Sequence, residues 1–245
     1  MEWTDAGIVL SVRSHGETGA ILEALTRERG RHLGLIRGGA SRRSRAVLQP
    51  GNTVHLHWRA RLSEHLGNYS AEPSRDRAGT LLDRRDALVG LNALTSVSSA
   101  VLPEREPHGS VFEAGQILLE AMMTGNYPDW APLYVRWEAG LLDELGFGLD
   151  LSQCAATGAR DNLTFVSPRS GRAVSAAAAG PYEGRLLALP QFLLGSQNAI
   201  ASLTDIRAGL KLTGHFLEQR VLAPHQRKMP PGRIRLEELA AHESK

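Results

Sequence analysis

The first seventy-odd residues hold five short β-prone stretches separated by turn residues, and this segmentation limits the N-terminal part to a small all-β domain. Ala6, Ile8, Leu10 and Val12 alternate with Gly7, Val9 and Ser11, the period of a strand. Gly16 and Gly19 mark a turn before Ala20–Thr26, and Gly30 separates that run from His32–Arg37. The pair Pro50-Gly51 precedes the clearest strand. There Val54, Leu56, Trp58 and Ala60 form one face and His55, His57 and Arg59 the other. Gly67–Glu72 closes the set. Five such strands make a small barrel, either the five-stranded OB type common among nucleic-acid binders or an SH3-like one. Periodicity does not separate the two. Trp58 shares the face of Val54 and Leu56, so it belongs to the core.

The period changes after a charged link at Pro73–Gly79. Leu81, Leu82, Leu88, Leu91, Leu94 and Val97 fit a helix over about 80–101, and Pro103 and Pro107 break the chain. Val111 to Met123 fits a second helix stopped at Gly125-Asn126. A third has Pro132 in its first turn and ends at Gly146. Thr204 or Asp205 caps a last long helix that closes before Pro224. Met122-Met123 and Trp130, Tyr134 and Trp137 read as bundle core, or alternatively as a groove for a partner peptide. The expectation is an α+β chain of several domains. Residues 1–76 form the barrel, 77–150 a helical domain, 151–188 an insert, and 189–245 the remaining helical part with a basic tail.

Charge is unevenly spread. Residues 1–61 carry ten Arg, no Lys and five acids, so this part is +5 within a chain of net charge +2. A basic end on a near-neutral body points to a polyanion partner, unless the arginines are merely solvated. Arg42, Arg43 and Arg45 crowd one polar loop, Gly38–Arg45, whose Gly38-Gly39-Ala40 backbone could approach a phosphate and donate N–H groups to it. Arg27, Arg29 and Arg31 flank the preceding turn, and usual barrel closure could put both loops on one side. Arg27, Arg29, Arg37, Arg42, Arg43 and Arg45, with Arg13 peripheral, are the candidate DNA contacts. Aromatic residues are few here: Trp3, Trp58 and Tyr69. Binding should therefore rest on phosphates and leave base edges free. A second basic stretch includes Lys211, Arg220 and Arg227, candidates for an acidic partner peptide or for more DNA, or simply a solvated terminus. Lys228-Met229-Pro230-Pro231-Gly232 within it should not be regular helix.

Cys154-Ala155-Ala156-Thr157-Gly158 has the outline of a zinc knuckle without its second thiolate, and Ser175 and Ala178 fall where a second Cys-x-x-Cys would stand. Structural zinc needs four thiolate or imidazole ligands. One cysteine, with no histidine between residues 109 and 214, makes a zinc site here unexpected. Turn hydrogen bonds from Thr157, Ser167 and Ser175 are expected in its place, and Cys154 should be a small buried side chain. The lone cysteine also rules out an internal disulfide and suits a reducing compartment. The acidic start Met1-Glu2-Trp3-Thr4-Asp5 is unlike a secretory signal, and no apolar run reaches the ~20 residues of a membrane span. The cytoplasm is the expected location.

Read in order, these segments resemble the RecO family of recombination mediators. Gly7-Ile8-Val9-Leu10, His15-Gly16-Glu17, Leu25-Thr26 and Gly30 look like its opening pattern. Gly38-Gly39-Ala40 resembles its glycine segment before a basic run. Leu141–Phe147, followed by Leu151, Cys154, Gly158 and Phe165–Gly171, resembles its zinc-knuckle region. The resemblance implies an OB-fold, a helical domain and a knuckle-like insert. It also implies binding of single- and double-stranded DNA, strand annealing and the loading of RecA. The implied partners are RecR, in some cases RecF, and the acidic tail of single-stranded DNA-binding protein. Zinc is not carried over, and no cofactor is expected. The competing classes are a metal-dependent nuclease or phosphoesterase, with His55 and His57 as a candidate metal pair, and an adaptor that binds only proteins. No nucleophile elbow, Walker loop or His-Glu-x-x-His is present, so no catalytic residue is assigned.

Overall fold

The computed structural model describes residues 1–195 and 201–243. Residues 196–200 and 244–245, which fall within the expected 189–245 segment, lie outside the described residues. The chain forms two compact units, Met1–Thr124 and Gly125–Lys245. The expected 77–150 helical segment is therefore divided between them.

The first unit begins with a closed barrel. Its strands are β1 (Glu2–His15), β2 (Gly19–Thr26), β3 (Gly30–Ile36), β4 (Thr53–Arg59) and β5 (Asn68–Arg75), with helix α1 (Arg42–Val47) between β3 and β4. The order around the barrel is β1-β2-β3-β5-β4, with β3 and β5 parallel, and this identifies the OB type. Strand β1 pairs with β4 through residues 2–8 and with β2 through 7–15. A bulge between Val9 and Ser11 lets it turn from one partner to the other. The extra residue shifts the side-chain alternation, so Val12 joins Val9 at the barrel interior instead of staying with Ile8 and Leu10. Trp58 lies in that interior, and its indole N–H donates to the Leu66 carbonyl at 3.0 Å. The Tyr69 ring crosses Gly34 so closely that a Cβ there would lie 2.2 Å from it.

Three expectations for this unit are corrected. The 38–45 loop is partly helical, because the Ser41 side chain accepts the Ser44 N–H at 3.2 Å and caps α1. The 73–79 link is not a free linker. Strand β5 runs to Arg75, and the side chain of Arg77 is buried against Glu120 (3.0 Å), Thr53 (2.7 Å) and Gln116 (2.5 Å). Helices α2 (Ala78–Leu82), α3 (Arg85–Val101) and α4 (Gly109–Thr124) follow, so the single helix expected over 80–101 is two. Helix α3 packs on β1. Glu23 fixes that side by accepting from Ser11 (2.8 Å), Arg31 (2.7 Å) and Ser99 (3.1 Å).

The second unit opens with α5 (Tyr127–Glu144), whose Asn126/Asp129 capping box sets its start. Pro128 takes the first turn and Pro132 lies inside the helix, a register one turn earlier than expected. A small sheet, β7 (Ala173–Ser175), β6 (Leu163–Val166) and β8 (Leu187–Ala188), has α6 (Ala176–Ala179) beside it. Helix α7 (Leu203–Phe216) is capped by Ser202 rather than Thr204 or Asp205, with Asp205 completing the capping box, and it continues as a wider turn, Leu217–Leu222. Pro231 then starts α8 (Pro231–Glu243), because proline at a first helical position forfeits no intrahelical bond. The stretch read as non-helical therefore ends in a helix start. Trp130, Tyr134 and Trp137 are all buried core rather than groove walls.

A fully buried ion pair fixes α8. Arg233 Nε meets Glu138 Oε1 at 2.5 Å and Nη2 meets Oε2 at 3.0 Å, and the same guanidinium bonds the Leu210 carbonyl at 2.7 Å. Burial opposes the guanidinium charge, and the Glu138 carboxylate more than offsets it, so Arg233 stays protonated. Replacing Arg233 with Ala strands the carboxylate, and the expected loss is about 3–5 kcal/mol in chemical denaturation. The Arg233→Met/Glu138→Leu double variant should recover most of it.

Candidate nucleic-acid interface

The expected arginines separate into two groups along β2. At one end of that strand Ala20 faces Ile36, and the Ala40 N–H donates to the Thr18 carbonyl at 3.1 Å. The segment after β3 is thereby held against the β1–β2 turn. Arg37, Arg42, Arg43 and Arg45 project from this segment and from α1, while Arg13 sits opposite Ile21 near the same turn. All five are exposed. None forms an ion pair with a described residue. Val47 and Leu48, just beyond, pack into the barrel core and hold α1 to the barrel while its arginines face solvent.

Arg27 and Arg29 stand at the other end of β2, where Thr26 faces Gly30. Seven rises of ~3.3 Å put the two ends roughly 23 Å apart. The expectation that both loops share one side is corrected. Strands β2 and β3 each run between the two ends, so the turn joining them and the segment leaving β3 are at opposite ends. Arg27 also has a carboxylate partner, Glu113, at 2.6 Å, and Arg31 is committed to Glu23 and to the Leu102 carbonyl. The Gly38–Ala40 phosphate cradle is corrected as well. The Gly39, Ala40 and Ser41 N–H groups are used within the fold, on Ile36, Thr18 and Gly38. Gly39 is small because a Cβ would lie 2.7 Å from that of Ala20. His55 and His57 lie on the outer face of β4. Among the described residues no group of three His, Cys, Asp or Glu is placed to hold a metal ion.

This barrel and the helices after it each match a family model: residues 1–75 match the recombination protein O N-terminal model, and residues 82–229 the C-terminal model. The chain belongs to the RecO family. It is 51% identical over 243 residues to a protein named DNA repair protein RecO from Cereibacter sphaeroides, covering 98% of this chain and 99% of the relative. It is 52% identical over 235 residues to the protein of the same name from Caulobacter vibrioides, covering 96% and 95%. It is 51% identical over 237 residues to that from Paracoccus denitrificans, covering 96% and 95%.

The segment read as a knuckle without its second thiolate is a hydrogen-bonded turn. Ser175 donates to the Cys154 sulfur through its N–H (3.3 Å) and its hydroxyl (3.4 Å). The Ala159 N–H donates to Thr157 Oγ1 at 3.3 Å, and the Ser170 N–H to Ser167 Oγ at 3.4 Å. Donation from Ser175 and Thr157 draws the Cys154 thiol down to about 6. One sulfur among hydroxyls does not fit structural zinc. In the second unit, a groove of about 550 Å³ is lined by the basic Arg207 and Lys211, the acidic Glu218 and Glu237, and apolar residues that include Met229 and Ile234, with His215 beside them. Of the three residues expected to take a partner peptide, Lys211 lines it. Arg220 turns to the Arg169 carbonyl, and Arg227 follows the turn at Ala223–His225. Arg207 and His215 escaped the sequence reading, although Arg207, Lys211 and His215 repeat at intervals of four along one helix face. No helix among the described residues is long and apolar enough to cross a membrane.

The Ser175–Cys154 spacing approaches the ~3.8 Å between thiolates around a tetrahedral zinc with ~2.3 Å bonds. A Thr157→Cys/Ser175→Cys/Ala178→Cys variant should therefore bind Co(II) with tetrahedral d–d absorption bands. Featureless spectra at stoichiometric metal would show that the turn no longer keeps a knuckle geometry.

Proposed function

We propose that this chain is a non-catalytic recombination mediator. It binds single- and double-stranded DNA, anneals complementary strands, and helps RecA load onto single strands coated by single-stranded DNA-binding protein. The observation that carries this reading is the set of five exposed, carboxylate-free arginines at one end of an OB barrel in a RecO-family chain. Two DNA strands repel each other through their phosphates. Guanidinium groups that neutralise phosphates, with few aromatic rings to occupy the bases, lower that barrier and leave the bases able to pair. Arg13, Arg37, Arg42, Arg43 and Arg45 are the contacts on this reading, and Arg27 is not. The protein would act in the cytoplasm without a metal or other cofactor, with RecR and, in some settings, RecF.

Each lost phosphate contact flattens the plot of log affinity against log salt by about 0.7–0.9. The Arg42→Ala/Arg43→Ala/Arg45→Ala variant should thus lower the slope by roughly 2–3 for an oligonucleotide and slow strand annealing. An unchanged slope would remove α1 from the interface. Arg27→Ala should leave the slope near that of the unaltered protein.

The groove beside Lys211 has apolar walls, and its rim carries Arg207 and Lys211 together with Glu218 and Glu237, the latter paired with Arg233, so the Arg207–Lys211 side is where the acidic tail of single-stranded DNA-binding protein would sit. Charge reversal at Lys211 or Arg207 should weaken tail-peptide binding on the order of tenfold in a fluorescence titration, and reversal at Arg220 much less. Equal losses at all three positions would mean a diffuse electrostatic effect rather than this groove.

A further inference from the structure

At the barrel end away from the five exposed arginines, a cavity of about 410 Å³ opens between β1, the β2–β3 turn and the loop after β4. Its walls include Trp3, Arg29, His32, Trp58, Ser63 and Arg105. Trp3 is only partly buried, and it lies nearly parallel to Trp58, 5.6 Å between ring centres and 17° between planes. His32 meets the Trp3 ring edge-on at 5.0 Å and bonds Tyr69 at 2.9 Å, so the platform is braced from beneath. Burial, followed by the nearby Arg105 charge, pushes His32 down to about 4, which leaves it a neutral ring at pH 7. The Trp3 indole N–H makes no hydrogen bond to a described residue.

The cations are held in place. Asp5 accepts the backbone N–H groups of Glu28 (2.8 Å) and Arg29 (3.2 Å), pinning the turn that carries Arg29. The Arg29 guanidinium carbon then stands 6.0 Å from the Trp3 ring centre. That is the outer limit of a cation–π contact and well beyond the ~3.5–4 Å of closed packing. Arg105, at φ 65°, is strapped to the Ser63 (2.8 Å) and His65 (3.0 Å) carbonyls. Glu2 in the wall and Glu104, 3.4 Å from Arg105, offset much of this positive charge. Attraction for phosphate is therefore weak here, and the distinctive feature is a flat aromatic surface with a planar cation 6.0 Å above it, carried on a pinned turn by an exposed side chain.

We propose that this pocket takes one unpaired nucleobase of single-stranded DNA, stacked on Trp3, with the exposed Arg29 side chain moving outward by about 1 Å to cover the base's other face. The proposal deepens the DNA-binding reading and rests on it. Paired bases are inside their own stack, so the pocket gives the barrel a preference for single strands. The exposed arginines at the other end act on phosphates in either form.

The test compares full-length protein binding an oligo(dT) and an abasic oligomer of equal phosphate number. The unaltered protein should bind oligo(dT) roughly tenfold more tightly, the effect of one stacked base. Trp3→Leu should bring that ratio close to one, with duplex affinity and salt slope unchanged, and Arg29→Ala should lower it severalfold. If Trp3→Leu fails to fold by circular dichroism, the exposed Arg29→Ala variant decides alone. A ratio of one in the unaltered protein, with both oligomers bound, overturns the pocket and leaves the DNA-binding reading standing. A ratio that survives in every folded variant also overturns the pocket, because the base is then read elsewhere. Absence of binding to either oligomer and to duplex overturns the DNA-binding reading itself, and the pocket with it.

Discussion

The barrel depends on the ability of β1 to pair on both sides. No other strand shares its first half with one neighbour and its second half with another, and the bulge at Val9–Ser11 makes that change of partner possible. Without the extra residue, Val12 would point outward and the interior formed by Val9, Leu22, Val54 and Trp58 would lose a wall. The same geometry sets up two distinct ends. The C-terminal half of β1 carries Arg13 to the turn beside α1, and the N-terminal half carries Trp3 to the cavity under Arg29. A surface of exposed arginines and an aromatic pocket are thus separated by the length of a strand.

Counting charge did not reveal this division. Ten arginines in the first 61 residues look alike on paper. In the fold, Arg31 neutralises the buried Glu23 and anchors α3 through Leu102, whereas Arg27 reaches Glu113 on α4. Leu102 is 71 positions from Arg31 and Glu113 is 86 from Arg27, beyond anything a local window reads. Arg42, Arg43 and Arg45 could be recognised as solvent-facing because three adjacent guanidiniums have no room to bury. Arg27 and Arg29 were legible as a pair, yet which end they occupy follows from strand direction alone.

The strands and the longer helices were readable because burial on one face imposes a period, and a period needs several residues to show. Val54, Leu56 and Trp58 against His55, His57 and Arg59 is such a case, and it is reproduced in the structure. Short elements lack that signal. Helix α1 has six residues and no buried one, so only the Ser41 cap marks it. Pro231 looks like a breaker in the sequence, although a proline that cannot continue a helix is well suited to begin one. The Trp3 pocket had no local signature. Trp3, Arg29 and Arg105 come together only after the barrel closes and the loop after β4 folds onto Arg105.

The second unit uses arginine in the opposite way. Arg233 lies just past the last residue of the C-terminal family match, on a helix whose exposed face carries Arg235, Glu237 and Glu238. A helix of such composition has little apolar surface to hold it down. The Glu138 pair supplies direction instead, because a buried carboxylate accepts a guanidinium only in a narrow geometry and Thr213 takes its remaining acceptor site. Since Ile234 and Ala240 on α8 complete the groove that Lys211 rims, docking of this helix and formation of the groove are one event.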